Sequence, residues 1–142
     1  RFYGIIIDDK GKILLREPAN HYHNIRWEFY GGTPEEGETP QDTVIRETAE
    51  ETGYTTRPMG KIGIIENDGK TYHYYLLKRL SRQRNWKNFG TKKEETWDTI
   101  FVSRSDAEYL LGQNPDDEYK KALIGIMDKA YELWRIRNRE TE

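Results

Sequence analysis

Three glutamates and an arginine crowd the end of the stretch GGTPEEGETPQDTVIRETAEETGY, residues 31–54, and a further glutamate stands ahead of them. Glu47, Glu50 and Glu51 fall on one face of a predicted helix, within an arc of about 100° when each residue turns by about 100°. Arg46 sits beside them and Glu38 precedes them. Carboxylates crowded in this way repel one another unless they stay in water or share a cation. Mg²⁺ prefers carboxylate and carbonyl oxygens and keeps several waters, so it commonly bridges protein to substrate phosphates. Gly31 and Gly32 let the backbone approach closely and offer a carbonyl. Arg46 can orient or partly neutralise the cluster. The residue types point to an acidic Mg²⁺ site that receives an anionic substrate.

The helix that carries the acids is well punctuated. Thr39 caps it, Pro40 suits the first helical position, Asp42 completes a capping box and Gly53 ends it. Ile45, Thr48, Ala49 and Thr52 share one side. This small, semi-apolar side is expected to pack on a sheet, with the acids turned away from it. Upstream, residues 2–7 and 12–16 read as the two strands of a hairpin around Asp8-Asp9-Lys10-Gly11. Residues 17–25 form a polar loop, and the extended segment 27–29 delivers the two glycines. Downstream, residues 61–66 and 71–80 flank an Asn67-Asp68-Gly69 turn, a second hairpin. Residues 81–93 form a basic loop and 96–102 a strand. Ser105-Asp106-Ala107-Glu108 is a capping box opening a short helix that Gly112 closes. Asn114-Pro115-Asp116-Asp117 opens a long helix, in which Tyr119, Leu123, Ile126, Ala130, Leu133 and Trp134 recur at helical spacing. The order is that of an α/β domain of α+β type, a mixed sheet covered by helices rather than a doubly wound parallel fold.

With 142 residues and no internal linker, one domain over residues 1–142 is expected. The absence of Cys excludes disulfides, thiolate zinc sites and a cysteine nucleophile. No apolar run approaches the roughly 18 residues of a membrane span. No signal-peptide pattern opens the chain, although it begins at Arg1 without Met. A cytoplasmic protein is the expectation. A net charge of −2 gives no global case for nucleic-acid binding.

The central stretch resembles the Nudix hydrolase pattern, G-x5-E-x7-R-E-U-x-E-E-x-G-U, in which U is a bulky apolar residue. Gly32, Glu38, Arg46, Glu47, Glu50, Glu51 and Gly53 all fall in register. Tyr54 fills the last U position, and Thr48 stands at the first as a departure that removes no ligand. The resemblance implies a Nudix-like α/β/α sandwich with a mixed sheet. It also implies hydrolysis of a nucleoside diphosphate linked to another group: a nucleotide, a dinucleoside polyphosphate or a nucleotide sugar. Glu47, Glu50 and Glu51, with the Gly31 carbonyl, would hold Mg²⁺ or Mn²⁺, polarising the diphosphate and activating a water. Arg46 and Glu38 would orient the carboxylates. The general base varies within the family, between a glutamate of the pattern and one on a later loop, and Glu94 and Glu95 stand about where such a loop would fall. Many members carry Pro before the two glycines; this chain has Tyr30, which lacks the fixed φ of proline. The alternative is a Nudix-fold module that binds or senses nucleotide without turnover, against which the intact glutamate set argues.

Substrate choice has its own candidates. From Lys78 to Lys93 inclusive there are seven basic residues and no acidic one, with Trp86 and Phe89 interleaved. Arg84 and Trp86 could meet a phosphate-rich substrate and its base by charge and stacking. Trp27 and Tyr30 could stack beside the glycine turn, and His21 or His23 could hydrogen-bond phosphate. Tyr72 stands near an offset at which, in the Nudix family, a tyrosine is associated with dinucleoside polyphosphates.

Overall fold

Successive residues of the central strands enter two different cores, as the two-residue period of a strand requires. The computed structural model describes residues 1–80 and 96–140, in the order β1 (Phe2–Ile6), β2 (Ile13–Pro18), a 3-10 turn (Ala19–Asn24), β3 (Tyr30–Gly32), α1 (Pro40–Thr52), β4 (Thr56–Asn67), β5 (Lys70–Arg79), β6 (Thr96–Val102), α2 (Arg104–Leu111) and α3 (Asp117–Glu140). Ile5, Tyr74 and Leu76 join Ala107 and Leu111 of α2 and Leu123, Met127 and Ala130 of α3 in one core. Their neighbours Ile6, Tyr75 and Leu77 join Val44 of α1 and Tyr54 in the other. The sheet is therefore covered by α1 on one face and by α2 and α3 on the other, the expected α/β/α sandwich.

The main sheet has the strand order β3-β1-β5-β4, and β2 pairs with β6 in a second, two-stranded sheet. β1 runs parallel to β5 and antiparallel to β3, while β4 and β5 are antiparallel, so the sheet is mixed. Asp68 and Gly69 link β4 to β5 with φ of 52° and 72°, the double positive φ that a two-residue type I′ turn requires.

The first hairpin is only half realised. Its turn forms as expected: the Asp8 carboxylate accepts from the amides of Lys10 and Lys12, each at 2.9 Å, and Gly11 takes φ 79°. Its strands then part, meeting only at an Ile7–Ile13 bridge. Residues 3–6 of β1 are buried throughout, which suits a strand with a parallel neighbour and both faces covered. Its edges go to β3 and β5, and β2 turns away to β6.

The packing face of α1 also differs from expectation. Its buried residues are Thr43, Val44, Glu47, Thr48, Glu51 and Thr52. Val44 is the centre of that face, and Glu47 and Glu51 flank it instead of pointing away; Ile45 and Ala49 are only half-buried. The caps are as read: Thr39 accepts from the Asp42 amide, Asp42 answers it, and Gly53 closes the helix at φ 79°. The short helix α2 is capped by Ser103, two residues before the serine expected. No described helix is long and apolar enough to cross a membrane.

Candidate active site

The two glycines have different tasks. Both lie in β3, where Gly31 pairs with Tyr3 and Gly32 with Phe2. A Cβ on Gly31 would stand 2.3 Å from the Phe2 carbonyl oxygen and 2.5 Å from the Tyr3 ring, so only glycine lets these strands close. A Cβ on Gly32 would stand 2.5 Å from the Glu47 carboxylate, so Gly32 makes the seat in which that carboxylate lies. Gly31→Ala must move backbone and is expected to cost about 2 kcal/mol. Gly32→Ala displaces a side-chain end and is expected to lower the melting temperature less. Thermal melts of the two variants check the order.

Arg46 organises the outer half of the acidic cluster. Its Nε and Nη2 donate to the two oxygens of Glu38 at 2.7 and 3.1 Å, a bidentate pair. Nη1 donates to Glu47 Oε1 at 3.1 Å and to Glu50 Oε2 at 3.2 Å, and Nη2 also reaches the Thr33 carbonyl at 3.1 Å. Glu38 further accepts from the Glu35 amide at 2.7 Å and the Thr43 hydroxyl at 3.2 Å. These bonds, that of Arg46 first and that of the Glu35 amide next, pull the Glu38 carboxyl from its ordinary 4.5 down to about 2. A depressed acid stabilises the fold above its unfolded value. The contribution of Glu38 is therefore expected in full above about pH 4.5 and to fade as pH falls toward about 2. Melting temperature against pH should fall through that window, and Glu38→Gln should flatten the fall.

A second arginine holds the inner half. Arg16, buried on β2, places Nη1 3.4 Å from Glu51 Oε1 and Nε 3.6 Å from Glu28 Oε1. Arg16 and Glu28 also exchange backbone hydrogen bonds at 2.9 and 3.0 Å. Burial pushes the Glu28 carboxyl up, and the Arg16 guanidinium opposes that rise. Sequence reading singled out neither residue. The available signal was a charge inside each of two apolar runs, ILLR and WEFY, because charges rarely enter such surroundings unless paired.

Glu47 and Glu51 are 2% and 3% exposed. With Gly31, Gly32, Arg16 and Glu28 they line one part of a cavity of about 960 Å³, whose wall also includes Tyr3, Tyr72, Tyr119 and Lys70. Tyr72 is thus placed at the cavity, its ring 5.8 Å from that of Tyr3. Glu50 stands outside the wall and holds Arg46. Trp27 and Tyr30, expected as stacking surfaces, are corrected: both are buried and neither lines the cavity. Trp27 packs in the core on the α2–α3 side, whereas the Tyr30 ring lies against Arg16. His21 bonds Glu17 at 2.8 Å and Arg26 at 2.9 Å. Arg84, Trp86, Glu94, Glu95 and the rest of the basic loop, like the side chain of His23, lie outside the described residues.

The cavity wall offers the donor set of a hard divalent cation, namely buried carboxylate oxygens beside the Gly31–Gly32 backbone. The seat that a Cβ at Gly32 would fill keeps one of those carboxylates at the wall. Among the described residues no three acidic or histidine side chains converge on one point. The carboxylates turn to the two guanidiniums instead.

A family model described as the NUDIX domain matches residues 1–124. A protein named 8-oxo-dGTP diphosphatase from Proteus vulgaris is 29% identical over 92 residues, covering 64% of this chain and 80% of that one. The crystal structure of a UDP-X diphosphatase superposes with a TM-score of 0.64 at 18% identity, over 96% of this chain and 62% of the other. This chain therefore spans less than two thirds of that protein. A MutT protein from Methanosarcina mazei Go1 superposes with a TM-score of 0.61 at 22% identity, over 96% and 92% of the two chains. At these identities the two structures speak for the fold alone.

Proposed function

We propose, since this chain belongs to the NUDIX family of hydrolases, that it cleaves the diphosphate linkage of a nucleoside diphosphate derivative with the aid of Mg²⁺ or Mn²⁺. The observation that carries the reading is the shared cavity wall, in which the buried Glu47 and Glu51 carboxylates meet the Gly31–Gly32 backbone. Glu47, Glu50, Glu51 and the Gly31 carbonyl would hold the cation. The bound cation would polarise the diphosphate and lower the pKa of an attacking water.

The chain's own residues supply the rest. Arg46 grips Glu47 at the wall and Glu50 beside it through one guanidinium that is itself fixed by Glu38. Arg16 brings positive charge into the cavity, where a substrate's phosphates would lie. Tyr72 and Tyr119 offer aromatic surface for a base at the same cavity. Glu94 and Glu95 stay as candidate bases, and Arg84 and Trp86 as candidate substrate contacts, on their sequence position.

The Proteus relative's name supports including an oxidised purine triphosphate among the substrates tried. The test is a panel of nucleoside triphosphates, 8-oxo-dGTP, a dinucleoside polyphosphate, a nucleotide sugar and ADP-ribose, each with Mg²⁺, followed by product analysis. Release of a nucleoside phosphate is expected for at least one class. Nucleotide binding by calorimetry with no product from any class would instead support a binding module without turnover.

A further inference from the structure

Tyr30 stands where many Nudix members carry proline, and its side chain is 1% exposed. The central carbon of the Arg16 guanidinium lies 5.5 Å from the Tyr30 ring centroid, a cation–π distance. The Tyr30 hydroxyl is hydrogen-bonded to Thr99 Oγ1, and Thr99 is the cross-strand partner of Arg16 in the β2–β6 pair. Arg16 is thus met by an aromatic ring while Glu28 and Glu51 stand within salt-bridge distance. Those two contacts, at 3.6 and 3.4 Å, are longer than charge-assisted hydrogen bonds. The Tyr30 ring adds a contact on the face of the guanidinium, which narrows the positions open to a side chain with many rotamers.

We propose that Tyr30, anchored by Thr99, is a positioning residue that holds Arg16 across Glu28 and Glu51 and so sets the Glu51 carboxylate for a divalent cation. The inference rests on the reading of Glu51 as a cation ligand. Proline at this position offers neither an aromatic ring nor a hydroxyl. The device ties the glutamate helix α1 to the second sheet through four residues: Glu51 of α1, Arg16 of β2, Tyr30 of β3 and Thr99 of β6.

The test is Mg²⁺ affinity of the nucleotide-free protein by calorimetry, with a thermal melt of each variant beside it. Tyr30→Leu removes ring and hydroxyl and is expected to weaken Mg²⁺ binding about ten-fold, the lower end of the effect of losing a supporting residue. Tyr30→Phe and Thr99→Val cut the same hydroxyl bond. Each is expected to weaken binding about three-fold, and the double variant no more than either alone, because the two changes share one interaction. Phe should retain more affinity than Leu. If all variants bind Mg²⁺ within two-fold of wild type while melting lower, Tyr30 is only a core residue and the proposal falls. Should Tyr30→Leu not fold, the Phe and Val variants decide the matter. Wild type that binds no Mg²⁺ would sink the ligand reading of Glu51 and this proposal with it. Wild type and variants that bind alike would sink this proposal alone.

Discussion

Glu51→Gln is expected to lower kcat/KM for the hydrolysed nucleotide by at least about a hundred-fold, the upper end for losing a mere supporting residue of a metal site, while leaving the protein folded. Gln keeps the shape of the side chain and removes its charge. Glu51 is buried at the cavity wall, so the lost charge cannot be replaced by a carboxylate from solvent. The fold should tolerate the change because Arg16 retains Glu28 at 3.6 Å and so is not left as an unpaired buried cation. Steady-state kinetics with a Mg²⁺ titration checks the first part and a thermal melt the second. A rise in the Mg²⁺ needed for half-maximal rate, together with the fall in rate, is the expected signature.

Arg46→Ala is expected to damage stability and activity together. Removing one partner of a buried charge pair costs about 3–5 kcal/mol when the remaining charge is sealed from water. Here the Arg46 side chain is 20% exposed while Glu47 is buried, so a loss nearer about 2 kcal/mol is expected. Activity should fall about ten- to a hundred-fold beyond that, as Glu47 and Glu50 lose the group that orients them. Arg46→Lys keeps the charge and loses the fork that grips both oxygens of Glu38, so it should recover only part of each effect. Urea melts and kinetics at saturating Mg²⁺ separate the two losses.

How far the site was legible depended on whether a residue's role was local. The caps of α1 are local: Thr39, Pro40, Asp42 and Gly53 act on backbone groups a few residues away, and all were readable. The spacing of Glu38, Arg46, Glu47, Glu50 and Glu51 carried the family. The burial of Glu47 and Glu51 was not readable from spacing. A helical wheel ranks residues by polarity, and it cannot know that Arg16, from strand β2, lies 3.4 Å from Glu51. Asn114 shows the same limit. It reads as part of a helix start. Its amide instead accepts from the backbone of Arg26 at 2.7 Å and donates to Trp27 and Leu111 at 2.9 and 3.0 Å. That pins the segment before Glu28 to the α2–α3 turn. Likewise Asp8 and Gly11 specified a turn, but the choice between one hairpin and two sheets lay with β3, β5 and β6, which compete for the edges of β1 and β2.

The proposed hydrolysis of a nucleoside diphosphate linkage depends on a divalent cation that the α1 carboxylates would hold. Its most direct test is nucleotide product formation by wild type and Glu51→Gln across the substrate panel, each with Mg²⁺ and with chelator. Product from wild type with Mg²⁺ alone, and at most about one hundredth as much from the variant, is the predicted result. Equal product from both proteins, or product that persists undiminished in chelator, would contradict it.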